Sequence, residues 1–215
     1  MSVTHPIGDE ILLGYAAGGL PAVYDLLAAC AVSLDDDARV RLGVFEAMGG
    51  ALLAREQIAP LRHDSFEGVL RRIGGLPPEE TVDPGRKVPM PDAVLPRPLR
   101  ERLGGDAADL LWTSCGLGRR EVALDHDVDG GGCLMAIPGG VVVPAVDEDR
   151  TALVLQGGFR IGADRYGRGD VVALRDPDHR AVAEDGPDCI CLVVGDGSAP
   201  IPSLGRRLRD RLLAG

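Results

Sequence analysis

Residues Val141–Phe159 read VVVPAVDEDRTALVLQGGF. Within this stretch the apolar run Ala152–Leu155 lies between the charged turn Asp147–Arg150 and the pair Gly157–Gly158. A short apolar run bounded by turn residues on both sides is the pattern of a β-strand. The same punctuation continues in both directions. From Trp112 onward, EVALDHD, CLMAIP, VVVPAV, TALVLQGGF, GDVVALRD, RAVAED and CICLVVGDG are short runs separated by Gly, Pro and Asp. Regular short strands joined by such turns predict an all-β sandwich or barrel.

Upstream, the period changes. GDEILLGYAAGG carries Ile11, Leu12 and Tyr15 at helical spacing, with Asp9 as the cap and Gly18-Gly19 as the stop. PAVYDLLAACAVSL begins with Pro21 in a first-turn position and keeps Val23, Leu26, Leu27 and Cys30 on one side. DDDARVRLGVFEAMGGALLAREQ opens with acids, which the positive end of a helix favours, and carries Val40, Val44, Phe45 and Met48. SFEGVLRRIGG gives a shorter helix after a Ser cap. LPPEETVDPGRKVPMPDAVLP, residues 76–96, is rich in Pro and charge and reads as an extended linker. PLRERLGG then begins the second unit, and SLGRRLRDRLLAG closes the chain as an amphipathic helix.

The composition sets limits. The chain has 215 residues, 45% of them apolar, so a packed core is expected. The formal net charge of −10 argues against direct nucleic-acid binding, because phosphates need Lys and Arg. No apolar run approaches the roughly 20 residues of a membrane helix. The start MSVTHPIGDE lacks the basic and apolar regions of a leader, so a cytoplasmic protein is expected. Five scattered cysteines fit reduced thiols in a reducing compartment.

Catalytic patterns are weak. The glycines of GGFRIGADRYGRG fall in hairpin turns rather than between a strand and a long helix, so a dinucleotide site is not indicated. A phosphate loop of the G-K-[ST] kind is missing from the sequence. TSCGLG around Cys115 has no His near it in sequence, and the pair Cys189 and Cys191 reads as small buried groups on one strand face as readily as an oxidant-sensitive pair.

Several segments together carry a family resemblance. HPIGDEILLGYAAGGLP followed by a helix and FEAMGGALL resembles the start of ChrR-type anti-sigma factors. PRPLRERLGG with Trp112, then LVLQGGF, RYGRGDVVAL, DPDHR and CICLVVGDG, resemble the cupin-like second domain of that family. The pieces occur in the family's order from His5 to about Gly197. The resemblance implies an α+β two-domain protein, a helical bundle followed by a cupin-like antiparallel β-barrel. The domains expected are 1–75 for the helical anti-sigma domain, 76–96 for the linker and 97–215 for the barrel with its C-terminal helix.

The resemblance also implies metal. The family's first domain takes zinc through an early His and a His-x3-Cys-x2-Cys group, a set suited to a tetrahedral clamp. In this chain the three later places fall on Ala31, Asp35 and Ala38, His5 lies at or beside the early place, and Cys30 precedes the second. LDDDARV puts an acidic helix cap where the family has its Cys-Pro-x-Cys knuckle. In the barrel half the His pair falls near Pro144 and Val146 and the Glu at Arg150, with only His179 in a ligand-like place. His5, Cys30 and His179 are thus residual ligand-like positions, and no metal or other cofactor is expected.

The expectation is therefore a non-enzymatic anti-sigma factor, with no catalytic residue. It would sequester an extracytoplasmic-function (ECF) sigma factor and regulate transcription, with the metal-free barrel sensing oxidative or other stress. Leu12, Tyr15, Leu26, Val40 and Val44 are the residues expected to bind sigma factor, and the same residues with Met48 are expected to form the bundle core in place of zinc. Residues 1–56 hold eight acids against three bases, which suits a basic partner. Neither direct nucleic-acid contact nor a membrane is expected. A small-molecule ligand in the barrel and a homo-oligomer stay open. The alternatives are a cupin-like small-molecule-binding protein with a helical dimerisation domain and a cupin metalloenzyme.

Overall fold

The computed structural model describes residues 3–57, 59–75, 93–124, 131–143, 150–174 and 180–195. Among the described residues five helices come first: α1 (Asp9–Ala16), α2 (Ala22–Leu34), α3 (Asp36–Leu53), α4 (Ser65–Gly74) and α5 (Arg97–Leu103). Ten strands follow: β1 (Thr113–Gly116), β2 (Arg119–Ala123), β3 (Gly132–Ile137), β4 (Val142–Val143), β5 (Arg150–Gln156), β6 (Gly158–Ile161), β7 (Asp164–Gly167), β8 (Val171–Leu174), β9 (Ala181–Ala183) and β10 (Cys189–Gly195). Most of the expected linker, residues 76–92, the DPDHR motif through His179 and the expected C-terminal helix lie outside the described residues.

The strands form two antiparallel sheets, one ordered β1-β2-β3-β10-β5-β8 and the other β4-β9-β6-β7. The expected closed barrel is therefore corrected to two sheets: among the described residues no ladder joins them. The chain passes between the sheets at Gly157. This residue has φ +65, and a Cβ there would lie 3.1 Å from Cys189 Cα and 3.2 Å from Pro187 O. Only glycine turns this corner without strain or collision.

The middle of the larger sheet is apolar on both faces. Successive strand side chains point to opposite sides. On β3, β5 and β10, one set (Cys133, Met135, Ile137, Ala152, Val154, Cys189, Cys191, Val193) packs toward Phe159, Ala181 and Ala183 of the smaller sheet. The alternate set (Leu134, Ala136, Leu153, Leu155, Ile190, Leu192, Val194) joins a core that includes Leu12, Val23, Leu27, Ala28, Leu42 and Leu99 from the helices. That is why these strands read as unbroken apolar runs rather than alternating ones. Helix α2 lies on the sheet, contacting both α5 and β10.

Local chemistry explains two of the helix ends. Asp35 caps α3, its carboxylate accepting the Asp37 N–H at 3.0 Å. Gly104 closes α5 in the left-handed region with φ 79. Three expected caps are corrected. Gly8, not Asp9, is the N-cap of α1, and neither Gly8 nor the N-cap Asp64 of α4 makes a side-chain cap bond. Pro21 is the N-cap of α2 rather than a first-turn residue.

Candidate functional site

The helices divide into those that find a partner within the chain and those that do not. α2 buries Val23, Leu27, Ala28, Cys30 and Ala31. α3 buries only Ala38 and Leu42. On another side of α3, Val40, Val44, Met48 and Leu52 recur every fourth residue, between 56% and 70% exposed. In an α-helix that spacing makes a continuous stripe. α4 goes further. Phe66, Val69, Leu70 and Ile73 follow the i, i+3, i+4, i+7 pattern of a single helix face, all at least 50% exposed, and α4 has no buried residue at all. Scattered exposed apolar residues need no explanation, but two helical stripes of them mark a surface built to be covered.

Ion pairs stand on α3 and between α1 and α3. Asp36 pairs with Arg39 at 2.6 Å and Asp9 with Arg41 at 2.5 Å. Burial, followed by the charges of Asp25, Glu46 and Cys30, raises the Tyr15 pKa, so its hydroxyl stays protonated and neutral. Arg71 and Arg72 stand in the last turn of α4, where cations favour the negative helix end.

The five residues expected to contact a sigma factor are spread over different environments. Leu12 is fully buried. Tyr15 and Leu26 are partly buried and pack on the main core, while Val40 and Val44 face solvent. The expectation that Val40, Val44 and Met48 hold the helices together is corrected: all three are more than half exposed, and the core uses Leu27, Ala28, Cys30 and Ala31 of α2 instead. The reason is that α2 lies between the sheet and its neighbouring helices, while α3 turns only one side toward them.

The ligand-like positions do not assemble a zinc site. Ala31 and Ala38 are buried hydrocarbon in the core. The Asp35 carboxylate is engaged as a helix cap. Cys30 is fully buried, and burial pushes its thiol up to about 12, so the thiolate that zinc requires is disfavoured. His5 instead lies against Tyr166, ring centroids 4.3 Å apart. These residues do not fit zinc. In the second unit, Arg150 occupies the expected carboxylate place and is 5% exposed, putting a fixed positive charge where a cation would sit. The donor set there does not fit a metal either. Pro144, Val146 and His179 lie outside the described residues. Among the described residues no group of three or more His, Cys, Asp or Glu side chains is placed to hold a metal ion.

The remaining thiols are inward-facing. Cys189 and Cys191 Sγ atoms lie 3.6 Å apart, both buried. The hydrogen bond with Cys189, then burial, raises the Cys191 thiol well above its ordinary value, and burial pushes Cys133 up to about 12. Cys115 is likewise raised, by burial and then by Glu121. Raised pKa values leave Cys115, Cys133 and Cys191 poor nucleophiles.

Sequence reasoning missed the α4 face as a candidate surface. Its signal was present, four apolar residues at helical spacing in SFEGVLRRIGG, between charged or small neighbours. The described residues thus combine helices with bare apolar stripes and a cupin-like pair of sheets whose interior is packed, a layout suited to holding another protein.

No family model matches the chain. It is 34% identical over 203 residues to the anti-sigma-E factor ChrR of Cereibacter sphaeroides, covering 91% of each chain. The crystal structure of Rhodobacter sphaeroides SigE in complex with the anti-sigma ChrR matches with a TM-score of 0.74 and 33% identity, over 91% of this chain and 100% of that one. KdgF from Halomonas sp. matches 43% of this chain and 93% of its own at 18% identity and a TM-score of 0.35. The chain belongs to the ChrR anti-sigma factor family.

Proposed function

We propose that this protein is a non-enzymatic anti-sigma factor that sequesters an ECF-type sigma factor in the cytoplasm, and so keeps it from RNA polymerase and promoter DNA. The observation that carries the reading is the bare apolar face of α4, Phe66, Val69, Leu70 and Ile73, together with the separate stripe on α3. Family membership supplies the partner class, since the relative of known structure is seen in complex with SigE. Occlusion needs no covalent step. The acidic helical segment suits the basic surfaces with which a sigma factor meets polymerase and DNA. Residues 1–75 act as the holding unit, and the two-sheet unit from residue 97 onward acts as the sensing unit for oxidative or other stress.

The test uses the full chain co-expressed with an ECF-type sigma factor from the same cell. Fully burying two large apolar side chains is worth about 3 kcal/mol or more, so Phe66→Glu with Ile73→Glu should weaken the complex at least about a hundredfold. Both residues are exposed in the free chain, so its melting temperature should barely move. Undiminished binding by this double variant would refute the assignment of the surface.

A further inference from the structure

The turn Gly167–Asp170 between β7 and β8 gathers contacts from parts of the chain distant in sequence. Asp170 is 4% exposed. Its Oδ1 accepts the N–H groups of Thr4 at 2.7 Å and of His5 at 2.8 Å, while Oδ2 accepts the Gly167 N–H at 2.8 Å. The ladder continues as Val171 N–H donates to His5 O at 2.8 Å. Gly169 has φ +92, and a Cβ there would lie 2.8 Å from Val3 Cγ2, so only glycine admits the N-terminal segment at this distance. The His5 ring rests on Tyr166, which stacks on Phe159 at 5.3 Å. Two residues on, Ile7 is 1% exposed in the core, and its carbonyl accepts from Arg41 Nη2 of α3 at 2.9 Å. The neighbouring Arg168 donates to Val94 O at 2.9 Å and also to Leu155 O, holding the segment just before α5.

We infer that Val3–Ile7 is a strap, seated in a cradle on the sheet unit formed by Asp170, that pins α1 and α3 in place of the family's zinc clamp. The donor set makes the substitution necessary, because Ala31, Ala38 and the cap Asp35 cannot close a metal site. The geometry makes it sufficient. A buried carboxylate that accepts three backbone N–H groups is a strong, directional anchor. Burial of Ile7 and the Arg41–Asp9 pair carry that anchor on to the helices. The strap also couples the two units physically. An event that distorts the β7–β8 turn releases residues 3–7 and loosens the start of α1, while β5 and β10 keep their ladder. The hold on α1 is a property of the free chain; only its consequence for a bound sigma factor rests on the function proposed above.

Hydrogen exchange of the free, full chain tests the strap without any partner. Asp170→Ala removes the cradle. His5→Pro removes one donor and the Tyr166 contact but leaves the Gly167–Asp170 turn intact, so it decides the matter if Asp170→Ala fails to fold. In His5→Pro, amides of α1 should exchange at least about tenfold faster, with those of β5 and β10 unchanged. Chelator added to the parent protein should leave α1 exchange unaltered. Parental α1 rates in His5→Pro, equal acceleration in β5 and β10, or faster α1 exchange on chelation would each overturn the inference.

Discussion

α2 and α4 make the sharpest contrast in the molecule. Both carry apolar residues at helical spacing. α2 lies with Leu27, Ala28 and Ala31 fully or nearly fully buried against the sheet, whereas α4 buries nothing. The difference lies in what each was given to cover. The outer face of β3, β5 and β10 offers Leu134, Leu153 and Leu192 to α2 and its neighbours. α4 meets no such face within the described residues. Apolar periodicity therefore says that a helix will be covered, and the fold says by whom.

That contrast can be broken by mutation. Leu192, fully buried between helices and strands, should cost about 2–5 kcal/mol on truncation to Ala. Ile73→Ala on α4 should stay within about 0.5 kcal/mol. Denaturant unfolding of the free chain measures both, and equal losses would erase the distinction.

Thiol labelling sharpens it chemically. With Cys30 and Cys133 pushed up to about 12 by burial, their thiolate population is about a thousandfold below that of an ordinary thiol. In the native protein both should resist alkylation at pH 8 and react only on unfolding. Prompt labelling of Cys30 would mean that α2 is not covered as described.

The smallest effect concerns the joint between helices and sheets. Burial lifts the Asp106 pKa, but the N–H groups of Leu95, Val94 and Ala107, with the charge of Arg100, outweigh it, so the carboxyl sits below its ordinary value. A depressed carboxylate pKa stabilises the fold above the unfolded pKa, and that stability is lost as pH falls through the folded value. Stability should therefore decline below about pH 4, and Asp106→Asn should lower it at pH 7 while flattening the acid loss. An unchanged acid slope in the variant would remove Asp106 from the joint.

Much of this architecture was legible in the residues. CLMAI, ALVL and CICLVV were readable as strands because each is a short apolar run bounded by Gly, Pro or charged turn residues; periodicity alone would not have told them from a buried helix. β1 and β7, TSCG and DRYG, were not, since they carry few apolar residues and take their strand form from pairing with β2 and β6. The stripe on α3 was visible but its direction was not: a row of Val and Met looks the same whether it meets its own core or a partner. The Asp170 cradle was invisible, because its two strap donors are backbone N–H groups 165 and 166 residues away in sequence.

The central claim is that the bare faces of α3 and α4 are where a sigma factor sits. Hydrogen exchange of the full chain, alone and in complex with an ECF-type sigma factor from its own cell, tests it most directly. The account predicts new protection concentrated in α3 and α4, residues 40–73, on complex formation. A stable complex that leaves those amides exchanging as in the free chain would contradict it.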